Sequence, residues 1–152
     1  MPAWLVIGLL ALLLGLQPVT TDLYLPALPT LKAQLHASMA QSQLTLTALL
    51  LAFGCSQVVW GPLSDRWGRR PILLLGLTAY VAAALGCALA QSMESLIFWR
   101  TVQGAAMGAG VMGARAVVRD LYAPVQGAHA MSRALTGLGI IACLSPPLGG
   151  LL

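Results

Sequence analysis

The sequence predicts an all-α membrane protein with five transmembrane helices, and three observations support this fold class. First, 59% of the 152 residues are hydrophobic and 8% are charged, against about 25% charged residues in an average soluble domain. Second, the apolar residues form long runs, and a hydrocarbon core of about 30 Å needs about 20 residues per helical span. Third, the charged residues are concentrated in short stretches between these runs. The chain is long enough for five spans.

The first predicted helix contains prolines, and the second has a clear start. Pro18 interrupts helix 1, and Pro26 and Pro29 close it, which membrane helices tolerate where neighbours or water satisfy the freed carbonyls. Ser38 and Gln41 have the spacing of a capping box for helix 2. The expected helices cover residues of about 4–31, 41–60, 71–90, 95–118 and 134–152.

The apolar run at the start, Ala3 to Leu16, has the length of a signal-peptide core. No Lys or Arg precedes it and no small-x-small cleavage site follows it, so a retained first helix is favoured over a signal peptide.

Pro71 opens helix 3 in the first turn, where its missing N–H costs nothing. In helix 4, Gly104 and Gly108 have the small-x-x-x-small spacing that lets two helix backbones approach closely.

The basic residues predict the orientation of the helices. If successive loops alternate across the bilayer, the loops on the outer side carry only one Lys or Arg, Lys32. The positive-inside rule then predicts a cytoplasmic N-terminus. The net charge of +4 therefore reflects membrane orientation, and no nucleic-acid partner is expected. The loops on the inner side carry Arg66, Arg69, Arg70, Arg119 and Arg133.

The sequence contains no pattern typical of a metal site, a cofactor site or a catalytic centre. Cys55, Cys87 and Cys143 each fall in a different apolar run without a Cys-x-x-Cys pair, and we interpret them as packing residues. His36 and His129 are single histidines in predicted loops. No Ser-His-Asp set and no phosphate-binding loop is present. We expect neither an enzyme nor a bound cofactor or metal.

A short charged stretch, Gly61 to Leu73, separates helices 2 and 3. Asp65 and Arg69 are four residues apart, a spacing that allows an ion pair across one helical turn. Gly68 would permit a sharp backbone turn between the two helices. The residues that define the stretch are Gly61, Leu63, Asp65, Arg66, Gly68, Arg69, Arg70 and Leu73.

These eight residues resemble the signature G-x-L-[AS]-D-R-x-G-R-[RK]-x-x-L, found between helices 2 and 3 of major facilitator superfamily transporters. The resemblance implies a secondary transporter. It also implies that the loop acts as a conformational latch, which contacts the C-terminal half of the transporter and favours the outward-open state. The alternative is that the arginines serve only as topology signals, and both roles can hold together.

Asp22 is the first candidate for chemistry, because a carboxylate in a membrane span is costly and points to function. The alternative is a solvated structural acid at the outer interface. The stretch Asp22-Leu-Tyr-Leu-Pro-Ala-Leu-Pro resembles the helix 1 signature of the drug:proton antiporter branch, most closely its Bcr/CflA subfamily. The resemblance implies that Asp22 takes part in proton coupling or substrate binding.

Arg100 is the second candidate, and Gln103 and Gly104 share its helix face. The three residues resemble the R-x-x-Q-G signature of helix 4 in the superfamily, which implies that Arg100 influences the protonation of an acidic partner. The alternative is an arginine that extends to the outer headgroups. Tyr24, Gln103, Gly104 and Met107 are expected to line a substrate cavity, with packing in the membrane as the alternative for Tyr24 and Met107.

Pro146, Gly149 and Gly150 resemble the G-P-x-x-G-G antiporter signature of helix 5. Ser145 stands where glycine is usual, and Ile141 replaces another small residue. The alternative is that the proline and the paired glycines supply only a kink and close packing.

Taken together, the resemblance implies five of the six helices of the N-terminal bundle of a major facilitator transporter, with the C-terminal half absent. We expect proton-coupled efflux of small lipophilic compounds across the bacterial inner membrane, with the C-terminal half as a partner. The alternative is a truncated, non-transporting membrane protein that acts only by associating with other chains.

Overall fold

The computed structural model describes residues 3–27, 29 and 38–151, and every regular element within them is a helix. A short 3-10 helix, Leu25–Ala27, follows the first α-helix. The predicted connector from Lys32 to Ala37, with His36, lies outside the described residues. The all-α fold class is confirmed. In chain order, the long α-helices of the described residues are α1 (Ala3–Asp22), α2 (Met39–Trp67), α3 (Arg69–Ala88), α4 (Met93–Leu121) and α5 (Pro124–Leu151).

Four of these helices, α1, α2, α3 and α5, are long and apolar enough to cross a membrane. Helix α4 has 29 residues, about 43 Å at 1.5 Å per residue, but Arg100, Gln103 and several glycines lower its hydropathy. Arg100 and Gln103 are both buried against protein, which is where membrane helices tolerate such side chains. Large apolar side chains such as Val58, which is 77% exposed, cover the outer faces of the other helices and suit contact with lipid.

The chain divides into two compact units, of which the first contains the described residues of Met1–Ala27 and Gly113–Leu152. In this unit α1 packs along α5. A Cβ added to Gly15 would lie 2.9 Å from Cδ1 of Ile141, and one added to Gly137 would lie 3.0 Å from Cβ of Ala11. Both separations are below ordinary van der Waals contact, so glycine at these positions lets the two helices pack closely without a shift of the facing side chain.

The second unit contains the described residues of Leu28–Met112, and in it α2 and α3 both pack against α4. The indole Nε1 of Trp60 donates a hydrogen bond to the carbonyl oxygen of Ala105 at 2.7 Å. On α3, a Cβ added to Gly76 would overlap Cβ of Ala109. Small residues on facing helices therefore bring the backbones together, as the helix 4 pattern predicted.

The local signals at both ends of α2 are confirmed. At its start, the Gln41 N–H donates to Oγ of Ser38 at 3.2 Å and the Ser38 N–H donates to Oε1 of Gln41 at 2.9 Å, which completes the predicted capping box. At its end, Gly68 has φ 92° and ψ 157°. This region is almost restricted to glycine, so Gly68 makes the sharp turn into α3 possible.

Helix α1 ends at Asp22, earlier than the expected end near residue 31. Pro26 has no N–H to donate to the carbonyl oxygen of Asp22, four residues back. The chain therefore leaves the α-helix and forms the 3-10 turn Leu25–Ala27.

Other helices run further than expected at the charged ends. Helix α2 continues through Pro62 to Trp67 instead of ending near residue 60. Residues 119–133 were expected to form a loop, but they are helical except for Tyr122 and Ala123, so His129 and Arg133 lie on α5. Charged residues mark where a chain leaves the hydrocarbon, whereas a backbone can remain helical beyond that point.

Candidate functional site

Asp22 is the last residue of α1 and is half-buried in the first unit. The hydroxyl of Thr21 lies 2.9 Å from Oδ1 of Asp22 and 3.0 Å from the carbonyl oxygen of Gln17, so its single proton serves one of these acceptors at a time. The C-terminal end of a helix carries partial negative charge, which does not stabilise a carboxylate. Helix stability therefore does not explain an acid at this position.

Tyr24 follows two residues later and is buried, with 6% of its surface exposed. Thr20, one turn before it in α1, donates its hydroxyl to the carbonyl oxygen of Leu16 at 2.5 Å. Polar side chains at the end of α1 thus bond to its backbone. After Asp22 the chain therefore buries Tyr24 and then forms the exposed 3-10 turn that begins at Leu25.

Arg100 is 9% exposed and lies on α4 in the second unit. Its Nη1 donates to Oε1 of Gln103 at 3.3 Å, which confirms that the two residues share a helix face. The thiol of Cys87, on α3, lies 3.8 Å from the same oxygen. Gln103, at 6% exposed, therefore has its carbonyl oriented by donors from two helices.

Gly104 and Met107 occupy tightly packed positions of the second unit. A Cβ on Gly104 would overlap the carbonyl oxygen of Leu49, and one on Gly108 would overlap Oγ of Ser56. Met107 is 0% exposed. The close approach of α2 and α4 predicted from the small residues is confirmed, whereas a role in lining a substrate cavity stays a prediction.

The turn between α2 and α3 brings its charged residues together. Nη1 of Arg69 lies 2.6 Å from Oδ1 of Asp65 and 3.1 Å from Oγ of Ser64, so the predicted ion pair is present. Arg66 and Arg70 are exposed. These exposed cations can contact another chain or segment, and the latch role itself stays a prediction.

The helix 5 signature lies in the last three turns of α5, which stays helical through Pro146 and Pro147 to Leu151. Gly149 and Gly150 belong to its final turn. The buried Ser145 donates its hydroxyl to the carbonyl oxygen of Ile141 at 2.8 Å. Ile141 packs against α1 at Gly15. The two residues that depart from the signature, Ser145 and Ile141, therefore both have structural contacts in the first unit.

No group of three or more His, Cys, Asp or Glu side chains that could hold a metal ion occurs among the described residues. Asp22, Tyr24 and Pro146 belong to the first unit, and Arg100, Gln103, Gly104, Met107 and the α2–α3 turn belong to the second. Each unit therefore contains some of the site residues that were predicted from the sequence.

Sequence comparison decides the family. Residues 6–152 match the model of the Major Facilitator Superfamily. The chain belongs to the major facilitator superfamily. The family predicted from the motifs is confirmed, and this major facilitator chain is a multi-pass membrane protein of a transporter family.

Relatives of this major facilitator chain have names that refer to drug resistance. It is 35% identical to Multidrug resistance protein D of Escherichia coli over 144 residues, which cover 95% of the chain and 36% of the relative. It is 40% identical to a Chloramphenicol resistance protein of Pseudomonas aeruginosa over 131 residues, 86% of the chain and 31% of the relative. A Bicyclomycin resistance protein homolog of Haemophilus influenzae is 32% identical over 146 residues, 96% of the chain and 36% of the relative. The chain spans about a third of the length of these curated relatives.

Two residues that were not predicted as site residues contact candidate residues of this major facilitator chain. Ser64 accepts from Arg69 at the α2–α3 turn, and it occupies the [AS] position of the signature, so the sequence offered a signal for it. Cys87 approaches Gln103 from another helix. Sequence spacing gives no sign of such a contact, because it depends on how α3 packs against α4.

Proposed function

We propose that this chain is part of a drug:proton antiporter of the Bcr/CflA kind, which exports small lipophilic compounds across the bacterial inner membrane. The observation that carries the proposal is the similarity to resistance proteins over 86% to 96% of the chain. The candidate residues all lie within residues 6–152, the range that matches the family. The proposed partners are protons, a lipophilic substrate, the lipid bilayer and the C-terminal half of a transporter.

Asp22 is the proposed proton carrier. The alcohol of Thr21 lies within hydrogen-bond distance of the carboxylate, and a protonated or ionised carboxyl group can both use such a partner. An acid at the C-terminal end of a helix does not stabilise that helix, so the position of Asp22 supports a functional role over a structural one. If protonation and drug binding are mutually exclusive, each ligand biases the transporter towards a different state, and this couples their fluxes.

Arg100 has the proposed role of a cation that influences protonation of the acid. Gln103 supports this role by accepting from the guanidinium within the buried part of α4. Tyr24, Gln103, Gly104 and Met107 are the residues proposed to contact substrate. Tyr24, Gln103 and Met107 are buried in the described structure, so the proposed route for a substrate is through helix movement, as in alternating access.

The test is drug-dependent proton flux in proteoliposomes. The 152-residue chain is reconstituted together with the C-terminal segment of Multidrug resistance protein D that lies beyond the matched region. A pH-sensitive dye inside the vesicles reports proton movement when a resistance drug is added. We expect flux that depends on the drug, and its loss by at least about tenfold in Asp22→Asn, as for removal of a proton-transfer group. Arg100→Gln should also lower the flux, because it removes the cation that is proposed to influence the acid.

Glu94→Gln is the matched control, because it also removes a carboxylate but lies in the first turn of α4, outside the proposed set. Flux that survives Asp22→Asn would contradict the proton-carrier role. Flux absent from the chain both alone and with the C-terminal segment, with correct folding, would favour the alternative of a non-transporting membrane protein.

A further inference from the structure

A cavity in the first unit is not part of the proposed transport site. It has a volume of about 410 Å³, within the range of about 300–1,000 Å³ of ligand pockets. It lies where α1 begins and where Tyr122 and Ala123 join α4 to α5. The residues that line it are Ile7, Tyr122, Gln126, His129, Ala130 and Arg133.

One face of α5 supplies most of the polar lining. Gln126, His129 and Arg133 follow one another at three and four residues, so they project from the same side of the helix. All three are exposed. Together they present amide, imidazole and guanidinium groups to the space between α5 and Ile7.

The cavity has the electrostatics of an anion site. Within the part of the chain that the structure describes, its lining contains no Asp or Glu, and Arg133 makes no ion pair. The N-terminal turn of α5 adds partial positive charge. Ala123, the residue before the helix, has no side-chain oxygen to accept from the first N–H groups. These three features all favour a negatively charged ligand.

The surroundings of the cavity favour a ligand with an apolar body. Ile7 and Ala130 form an apolar wall. Two large apolar residues near the lining residues in the sequence are also exposed. Trp4, at the start of α1, is 71% exposed, and Val125, in the first turn of α5, is 72% exposed. Exposed tryptophans near the end of a span are typical of the headgroup level of a bilayer. A small soluble anion would make no contact with these apolar surfaces, whereas the acyl part of a lipid would.

We propose that this cavity binds the headgroup of an anionic phospholipid, with Arg133 as the principal contact for the phosphate. A basic pocket between membrane helices at the end of a span has the chemistry for this ligand. Gln126, His129 and Tyr122 donate further hydrogen bonds to the headgroup, and an acyl chain lies along the apolar surface beside Ile7. The proposal does not depend on transport activity.

Native mass spectrometry of the 152-residue chain in detergent tests the proposal. The chain is titrated with phosphatidylglycerol and, separately, with phosphatidylcholine of the same acyl chains. We expect tighter binding of phosphatidylglycerol, and a dissociation constant for it about fivefold weaker in Arg133→Gln, the effect of one basic residue at a membrane surface. Arg115→Gln is the matched control, because Arg115 is an exposed arginine of the same unit that does not line the cavity.

A second variant separates binding from folding. Gln126→Glu places an acid in the first turn of α5, where it favours the helix, but it adds a negative charge to the cavity. We expect an unchanged or higher melting temperature together with weaker phosphatidylglycerol binding. Equal affinity for the two lipids, an equal loss in Arg115→Gln and Arg133→Gln, or full competition by inorganic phosphate at millimolar concentration would each overturn the proposal.

Discussion

At the scale of single residues, the ion pair of Asp65 and Arg69 is too exposed to hold the fold together. The side chains are 59% and 27% exposed, respectively. Exposed pairs contribute about 0.2–1 kcal/mol. An energy of this size, if present in only one conformational state, shifts the equilibrium between two states by up to about fivefold. The pair is therefore suited to biasing a conformational change.

We predict that Asp65→Asn lowers the free energy of unfolding by less than about 1 kcal/mol and changes the rate of drug-dependent proton flux by up to about fivefold. Thermal unfolding in detergent and the proteoliposome assay give the two measurements. Glu94→Gln, which removes an acid from the first turn of α4, serves as the control. A loss of several kcal/mol in stability with an unchanged rate would show a structural role instead.

The residues around Arg100 show which part of the site could be predicted. The spacing of Arg100 and Gln103 along one helix predicted that they share a face, and the hydrogen bond between them confirms it. The contact of Cys87 with Gln103 joins two helices. Local spacing contains no information on such a contact, so it could not be predicted from the sequence.

At the scale of helices, the approach of α2 to α4 depends on glycine at two positions of α4. Gly104 faces the backbone of Leu49, and Gly108 faces Ser56. Backbones that come this close gain dispersion contacts and leave no space for a methyl group. The indole of Trp60 adds a hydrogen bond between the same two helices.

We predict that Gly104→Ala lowers the free energy of unfolding by about 1–3 kcal/mol, because the added methyl group overpacks the interface. Gly54→Ala in α2 is the matched control, since no atom lies within 4 Å of its added Cβ. It should stabilise the helix by about 0.5–1 kcal/mol. Unfolding of both variants in mixed micelles with a denaturing detergent, followed by circular dichroism, measures the difference. Equal stability of the two variants would show that this contact contributes little.

Helix ends were predictable where a local interaction fixes them. The Ser38 and Gln41 capping box and the turn at Gly68 depend on side chains and backbone angles within a few residues. The extension of α2 to Trp67 and the start of α5 at Pro124 were not predicted. Hydropathy reports where a chain leaves the hydrocarbon, whereas backbone hydrogen bonds decide where a helix ends.

At the scale of the whole molecule, composition was sufficient to predict the class of protein. A chain with 8% charged residues has too few polar groups to cover its surface in water, and the structure leaves large apolar side chains exposed on its helices. The eight-residue signature around Asp65 then predicted the family, which sequence comparison confirms for residues 6–152. The relation between the candidate residues of the two units lies beyond what local patterns predict.

We predict a cytoplasmic N-terminus from the distribution of basic residues. In a chain with Cys55, Cys87 and Cys143 replaced by alanine, a cysteine at Ala123 should react with a membrane-impermeant maleimide only after the cells are permeabilised. A cysteine at Ser92, in the turn between α3 and α4, should react in intact cells. Labelling of the Ala123→Cys variant in intact cells would reverse the proposed orientation.

The consecutive prolines of α5 divide this helix into two mechanically different parts. Pro146 and Pro147 have no N–H, so the carbonyl oxygens of Ala142 and Cys143 receive no bond from the residue four positions ahead. In the part of α5 before the prolines, the backbone hydrogen bonds are complete, and this part packs against α1 at Gly15. After them, fewer bonds resist bending. A bend in α5 is therefore expected at Pro146 and Pro147 rather than earlier in the helix.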